Sequence, residues 1–268
     1  MSKNLAVIGV GNMAKSIISG IRKSNIDIDK IYLYDINPKQ YTNILDNKIL
    51  SSKTISEAIA SSDFVLLSAK PQNFPEIMAE ISITPSADKK TYISIAAGIT
   101  VDYISKSLNT NKVIRALPNI PMIISKGVTA ICYNENVPCE DFNSVVSIFE
   151  SAGSVIKINE VDMNKTIGIT SSSPAYVFKF IEAMYRAAEA QGLKNDDLIP
   201  AICDMMIGSA ELIKSGYNTP SNMVKAVASK GGTTEKALEV LDNYDFEKII
   251  TEAMIACTNR ADELGKIK

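Results

Sequence analysis

The run Gly9-Val10-Gly11-Asn12-Met13-Ala14 follows an apolar stretch, residues 5–8, and opens a segment of helical periodicity, residues 13–23. In that context Gly9 permits a tight turn, Gly11 lets the backbone approach a pyrophosphate, and Ala14 allows a helix to pack closely on a strand. Asn12 and Met13 complete the loop, and the helix N-terminus faces the anion. Asp35 lies 21 residues past Ala14, at the end of a second apolar run, where an acid meets the adenosine ribose of a dinucleotide. Such a carboxylate accepts from a ribose 2′-OH and repels a 2′-phosphate, which favours NADH over NADPH. Two other readings stay open: Asp35 caps the next helix, or it turns aside and leaves Asn37 and Lys39 to hold a phosphate.

Two pairs follow later apolar runs, at strand ends of the kind where open α/β sheets bind ligands: Lys70-Pro71 after residues 64–68, and Ala97-Gly98 after residues 91–95. Gly98 would let a nicotinamide approach the backbone. Lys70 is either a donor to cofactor hydroxyls and phosphate or a solvated loop lysine. In the loop 115–121, two prolines stiffen the chain around Asn119, which either orients a ligand or shapes the turn. Residues 170–173 place four hydroxyls before an expected helix start, with Ser172 a ligand contact or a cap. Ser229-Lys230-Gly231-Gly232-Thr233-Thr234 precedes a helix expected from residue 235, and it either offers unpaired amides to an anion such as a substrate carboxylate or only caps that helix.

Histidine is absent. Its absence removes Ser-His and Cys-His dyads, histidine-bound zinc and imidazole acid–base chemistry. A cofactor, lysine, carboxylates, hydroxyls and backbone amides remain as agents. Four cysteines, Cys132, Cys139, Cys203 and Cys257, include no C-x-x-C pair, which argues against a thiolate metal site and suits a reducing compartment. With 28 basic and 30 acidic side chains the net charge is −2, so a small molecule is expected as partner rather than nucleic acid. No run approaches the ~18 apolar residues of a membrane span, and residues 5–10 are too short for a signal-peptide core. A cytoplasmic protein away from membranes is expected.

The elements that must hold these groups follow from periodicity. Apolar runs at 5–8, 31–34, 64–68, 91–95 and 113–117 are separated by helix-length segments at 13–23, 38–45, 74–81 and 101–108. That pattern predicts a doubly wound α/β domain, with parallel strands buried on both faces. Strands at 127–133 and 154–158 flank a helix near 141–151 and complete a dinucleotide-binding domain of the Rossmann-like type, residues 1–159. Helical periodicity then takes over, at 163–169, 175–191, 196–214, 220–228 and 235–264, the last with a break near 243–245. Residues 160–268 are therefore expected to form a second, all-helical domain. Its Met205-Met206-Ile207 run spans about 200° of a helix, more than one small bundle buries, so part of its surface is expected to meet a second chain.

The order of these motifs, with Ala69-Lys70-Pro71-Gln72, Ala96-Ala97-Gly98-Ile99-Thr100, Arg115 to Pro121 and the two later loops, resembles the pyrroline-5-carboxylate reductase family from residue 5 to Leu264. The resemblance implies NADPH- or NADH-dependent reduction of a cyclic imine to proline, and a helical domain forming an interlocked homodimer, up to a ring of dimers. It also implies a substrate carboxylate on Ser229, Gly231, Gly232 and Thr233, with Ser172 nearby and Thr234 at the ring nitrogen. Three loops depart from the family pattern: Ser171 and Ser173 stand at glycine positions, Lys230 at a proline position, and Leu117 and Ile120 replace other residues. One rival is a β-hydroxyacid dehydrogenase with Lys165 as base. The other is a paralogue that binds the cofactor without turnover.

Overall fold

The computed structural model describes residues 2–266 of the chain. In β1 (Lys3–Ile8), Leu5 and Val7 enter one core cluster while Ala6 and Ile8 enter the other, each at most 1% exposed. Both faces of the strand are covered, which is why it reads as an apolar run rather than as an alternation. The chain continues through α1 (Asn12–Lys23), β2 (Ile28–Tyr34), β3 (Ile49–Ser51), α2 (Ile55–Ala60), β4 (Phe64–Leu67), α3 (Phe74–Ser82), β5 (Thr91–Ser94) and α4 (Val101–Leu108). After β6 (Val113–Leu117) come β7 (Gly127–Tyr133), α5 (Cys139–Glu150) and β8 (Gly153–Lys157).

These strands form one eight-stranded sheet in the order β3-β2-β1-β4-β5-β6-β7-β8, parallel except between β6 and β7. Residues of α1 and α5 line one face and residues of α2, α3 and α4 the other, a Rossmann-like doubly wound layout. Strand addition reverses between β1 and β4. The crevice at their carboxyl ends is the ligand position of such sheets.

Helices follow: α6 (Glu160–Thr166), a π-helical turn Ile167–Ser171, α7 (Ser173–Ala190), α8 (Leu198–Lys214), α9 (Pro220–Val227), α10 (Thr233–Asn243) and α11 (Phe246–Leu264). The break foreseen near residue 244 is made by Asp245 in a left-handed conformation, φ 51°. Among the described residues no helix is long and apolar enough to cross a membrane. By compactness the chain divides into two units: one runs to Pro174 and resumes at Met254, and the other is Ala175–Ala253.

Two expectations need correction. The helix expected at 38–45 is instead two 3-10 turns, Pro38–Gln40 and Thr42–Ile44. Tyr41, 1% exposed and hydrogen-bonded to Ser51 Oγ (3.1 Å), is drawn into the core between them and breaks the helical path. The loop expected near residue 170 is helical, since the π turn carries α6 into α7.

Candidate active site

Three hydrogen bonds fix the glycine loop between β1 and α1. Gly9 N donates to Tyr34 O (2.8 Å), Ser68 Oγ donates to Gly9 O (2.5 Å), and Val10 N donates to Asp35 Oδ2 (2.7 Å). Gly9 has φ +90°, and a Cβ there would lie 2.9 Å from Ala69 N, so the close passage of two backbones demands glycine. Gly11 differs. A Cβ on Gly11 would meet nothing within 4 Å, so no steric demand of the chain explains the residue. The open volume suits the close approach of a ligand to the backbone. Gly11 is also the N-cap of α1, whose first turn has neither a side-chain cap nor an acid, whereas Thr54 and Thr100 cap α2 and α4. The α1 amides and dipole are left to an anion. Asn12 is exposed there, Met13 is half-buried, and Ala14 is fully buried against the sheet.

Gly9, Gly11, Asp35 and Lys70 line one cavity of about 580 Å³, together with Glu76 and Glu80 from α3. Lys70 is exposed, and Pro71 opens the 3-10 turn that follows it. Asp35 Oδ1 accepts from Asn37 N (2.8 Å), so the carboxylate faces the glycine loop and caps no helix. Each oxygen keeps a lone pair for a further donor. Burial, and after it the carboxylates of Glu80 and Asp35, hold the Tyr34 hydroxyl above its ordinary pKa. Sequence reasoning missed Ser68, Glu76 and Glu80. Ser68 directly follows β4 beside the switch point, and Glu76 and Glu80 lie one turn apart on α3.

Half-buried Ala97 and buried Gly98 lie outside that cavity. Gly98 has φ +80°, and a Cβ would sit 2.6 Å from Ala261 O and 2.7 Å from Gly265 N, so the close passage of the end of α11 by itself demands glycine here. Asn119 is buried; its Nδ2 donates to Thr170 O (2.8 Å) and its Oδ1 accepts from Val128 N (2.8 Å). Pro174 has no N–H to give the carbonyl four residues back, and Asn119 supplies the missing donor. Asn119 thus shapes the turn. Ser171, Ser172 and Ser173 all have negative φ, so serine at the two flanking positions introduces no left-handed strain. Ser172 Oγ accepts from the Cys257 thiol at 3.2 Å.

Arg115, 1% exposed, donates from Nη2 to Asn164 Oδ1 (2.5 Å), and Asn164 donates to Asp262 Oδ1 (2.6 Å). Burial pushes the nearby Cys132 thiol up to about 12, which makes it inert as a nucleophile. Lys165 is exposed and paired with Asp162 (2.7 Å), whose carboxylate holds the amine above its ordinary pKa. A general base needs the opposite shift. It faces a different cavity, with Cys132, Tyr133 and Glu160.

In the other unit, Gly232 is the N-cap of α10, and Gly231 sits at φ +76° with open space at its Cβ position. Gly231 N donates to Glu235 Oε2 (2.7 Å) and Gly232 N to Ser229 O (2.9 Å). Of the amides expected to face an anion, these two are therefore occupied within the loop. The first-turn amides of Thr233 and Thr234 have no intrahelical acceptor. Glu235 thus caps the start of α10 through the Gly231 amide, as a first-turn carboxylate does at a helix N-terminus.

Comparison with known proteins bears on this arrangement. The family profile described as pyrroline-5-carboxylate reductase dimerisation matches residues 160–264, and one described as NADP oxidoreductase, coenzyme F420-dependent, matches residues 4–98. The pyrroline-5-carboxylate reductase of Escherichia coli (strain K12) is 32% identical over 99% of this chain and all of its own length. The chain belongs to the pyrroline-5-carboxylate reductase family. The family's Staphylococcus aureus (strain COL) member is 30% identical, with 98% of each chain covered. The solved pyrroline-5-carboxylate reductase of Coxiella burnetii is 28% identical, covers the whole of both chains and superposes with a TM-score of 0.87. Of the residues that depart from the family pattern, Lys230 is exposed beside Gly231 and Leu117 is buried at the end of β6.

Proposed function

We propose that the protein reduces 1-pyrroline-5-carboxylate to L-proline with a nicotinamide nucleotide, the last step of proline biosynthesis. The observation that carries this reading is kinship along the whole chain, 32% identity over 99% of it with a named pyrroline-5-carboxylate reductase. The exposed, acid-paired Lys165 weighs against the hydroxyacid dehydrogenase alternative.

The glycine loop fits a dinucleotide, since the volume beside Gly11 is open and the α1 N-terminus is uncapped. Gly9, Gly11, Asn12, Met13 and Ala14 would hold the pyrophosphate, Asp35 and Asn37 the adenosine ribose, Lys70 and Pro71 the neighbouring hydroxyls, and Ala97 and Gly98 the nicotinamide end. Asn119 would act through the turn it braces. Asp35, Glu76 and Glu80 outnumber Lys70 in the cavity lining, and this supports NADH over NADPH, whose 2′-phosphate would add charge to an already negative site. When bound, the dihydronicotinamide supplies a hydride to the imine carbon.

This chain's residues bind and orient. Ser229, Gly231, Gly232 and Thr233 would hold the substrate carboxylate, which displaces Glu235 from the Gly231 amide, and Ser172 adds a hydroxyl. Thr234 is the catalytic contact, with its hydroxyl on the ring nitrogen. Without histidine, that nitrogen takes its proton from solvent or arrives protonated, and the chain contributes chiefly positioning, an effect worth about 7–11 kcal/mol when two partners are held in register.

Residues 1–159 serve as the dinucleotide domain and residues 160–268 as the substrate-binding and dimerisation domain. Within Ala175–Ala253 no side chain is buried, and Phe178, Ile207, Val227 and Ile249 are each more than half exposed. A second copy of the chain is the partner that such an apolar surface fits, giving a two-fold homodimer on which a ring of dimers could be built. Expression in a proline auxotroph tests the activity. Growth without proline is expected; an expressed, nucleotide-binding protein that fails to support growth overturns the reading.

A further inference from the structure

The last turns of α11 return to the sheet-bearing unit and lay one stripe of residues along its loops. Gly168 approaches Met254, with its Cβ position 3.3 Å from Met254 Cβ; Cys257 meets Ser172; Ala261 and Gly265 close on Gly98. Positions 254, 257, 261 and 265 recur at the three- and four-residue spacing of a single helix face. The two contacts at Gly98 are backbone packing, that at Gly168 is with the Met254 side chain, and the one at Ser172 is a hydrogen bond between side chains.

The hydroxyls around Ser172 behave differently from its own. Thr166, Thr170, Ser171 and Ser173 donate to the backbone carbonyls of Met163, Thr166, Leu117 and Ile169. Donors committed in this way are closed to a ligand. Ser172 Oγ instead receives a thiol proton from Cys257, 3.2 Å away on a half-buried helix face. A hydroxyl has one proton and two lone pairs, so a donor on one lone pair fixes Oγ while leaving its O–H to point at an acceptor such as a ligand oxygen.

We infer that Cys257 is a positioning residue for the reduction reaction, acting through Ser172: its thiol holds the Ser172 hydroxyl as a donor toward the bound substrate. The inference rests on reading Ser172 as a substrate contact. Cys257 itself touches no substrate and performs no redox step.

A double-mutant cycle tests it, read by steady-state kinetics with 1-pyrroline-5-carboxylate and reduced nucleotide. Cys257→Val, which keeps volume and removes the donor, is expected to lower kcat/KM for the imine by about threefold, with the nucleotide KM unchanged, because a thiol is a weak donor. Cys257→Ser restores a donor and is expected to recover most of that loss, which a packing role alone would not produce. On a Ser172→Ala background Cys257→Val should add nothing. Equal losses from Cys257→Val on both backgrounds, or no recovery in Cys257→Ser, would overturn the inference, as would parental kinetics in Cys257→Val beside an impaired Ser172→Ala. Parental kinetics in Ser172→Ala would instead sink the substrate role of Ser172, and this inference with it. If Cys257→Val fails to fold, Cys257→Ala supplies the same comparison.

Discussion

Replacing Gly9 and Gly11 by alanine, one at a time, separates what the loop owes to the chain from what it owes to a ligand. At Gly9 the new Cβ meets two penalties. The left-handed φ of +90° costs about 1–2 kcal/mol for any L side chain. The Cβ also falls 2.9 Å from Ala69 N, a backbone atom that cannot rotate away, so the total loss is expected to reach about 2–4 kcal/mol. At Gly11 the Cβ meets nothing within 4 Å and φ is −76°, an ordinary value. Stiffening the unfolded chain returns about 0.4–1 kcal/mol there and losing a favoured N-cap residue removes about as much, so stability should hold within about 1 kcal/mol. Cofactor affinity is expected to follow a different course, with Gly11→Ala weakening NADH at least about tenfold, or 1.4 kcal/mol, since its methyl occupies the pyrophosphate approach. Urea unfolding midpoints at constant slope and fluorescence titration with NADH measure the two quantities. Parental NADH affinity in Gly11→Ala would refute the placement of the pyrophosphate, and parental stability in Gly9→Ala would refute the steric account of the loop.

Thr234→Val should lower kcat/KM for the imine by the ~1–3 kcal/mol of a lost buried hydrogen bond while nucleotide affinity stays nearly constant, as steady-state kinetics and titration can establish. Lys165→Met should retain parental turnover, because the lysine is an exposed partner of Asp162; a dead variant would revive a lysine-base mechanism. Light scattering at micromolar concentration should give twice the 29.1 kDa chain mass or a multiple of it, and an active monomer would contradict the dimer.

The strands were legible because a sheet covered on both faces reads as apolar runs, and the glycine loop was legible because strand, turn and helix carry separate signals. The Pro38 segment was not. Proline and helix formers suggested a helix, and only the burial of Tyr41 against Ser51 divides it. Gly98 and Gly9 looked alike in sequence, yet one glycine admits a distant helix end and the other a neighbouring loop, and partners some 160 residues away leave no local pattern. Asn119 could have been read as a partner for a carbonyl freed by Pro174, but that pairing needs the fold to bring residues 119 and 170 together. The roles of Cys257 and Glu235 rest on side-chain contacts that composition and spacing do not encode.

The central claim is the reaction itself. Purified protein mixed with 1-pyrroline-5-carboxylate and either NADH or NADPH should oxidise nucleotide and form L-proline in equal amounts, faster with NADH, with no turnover when the imine is omitted. A protein that binds the nucleotide tightly yet forms no proline with either one would contradict it.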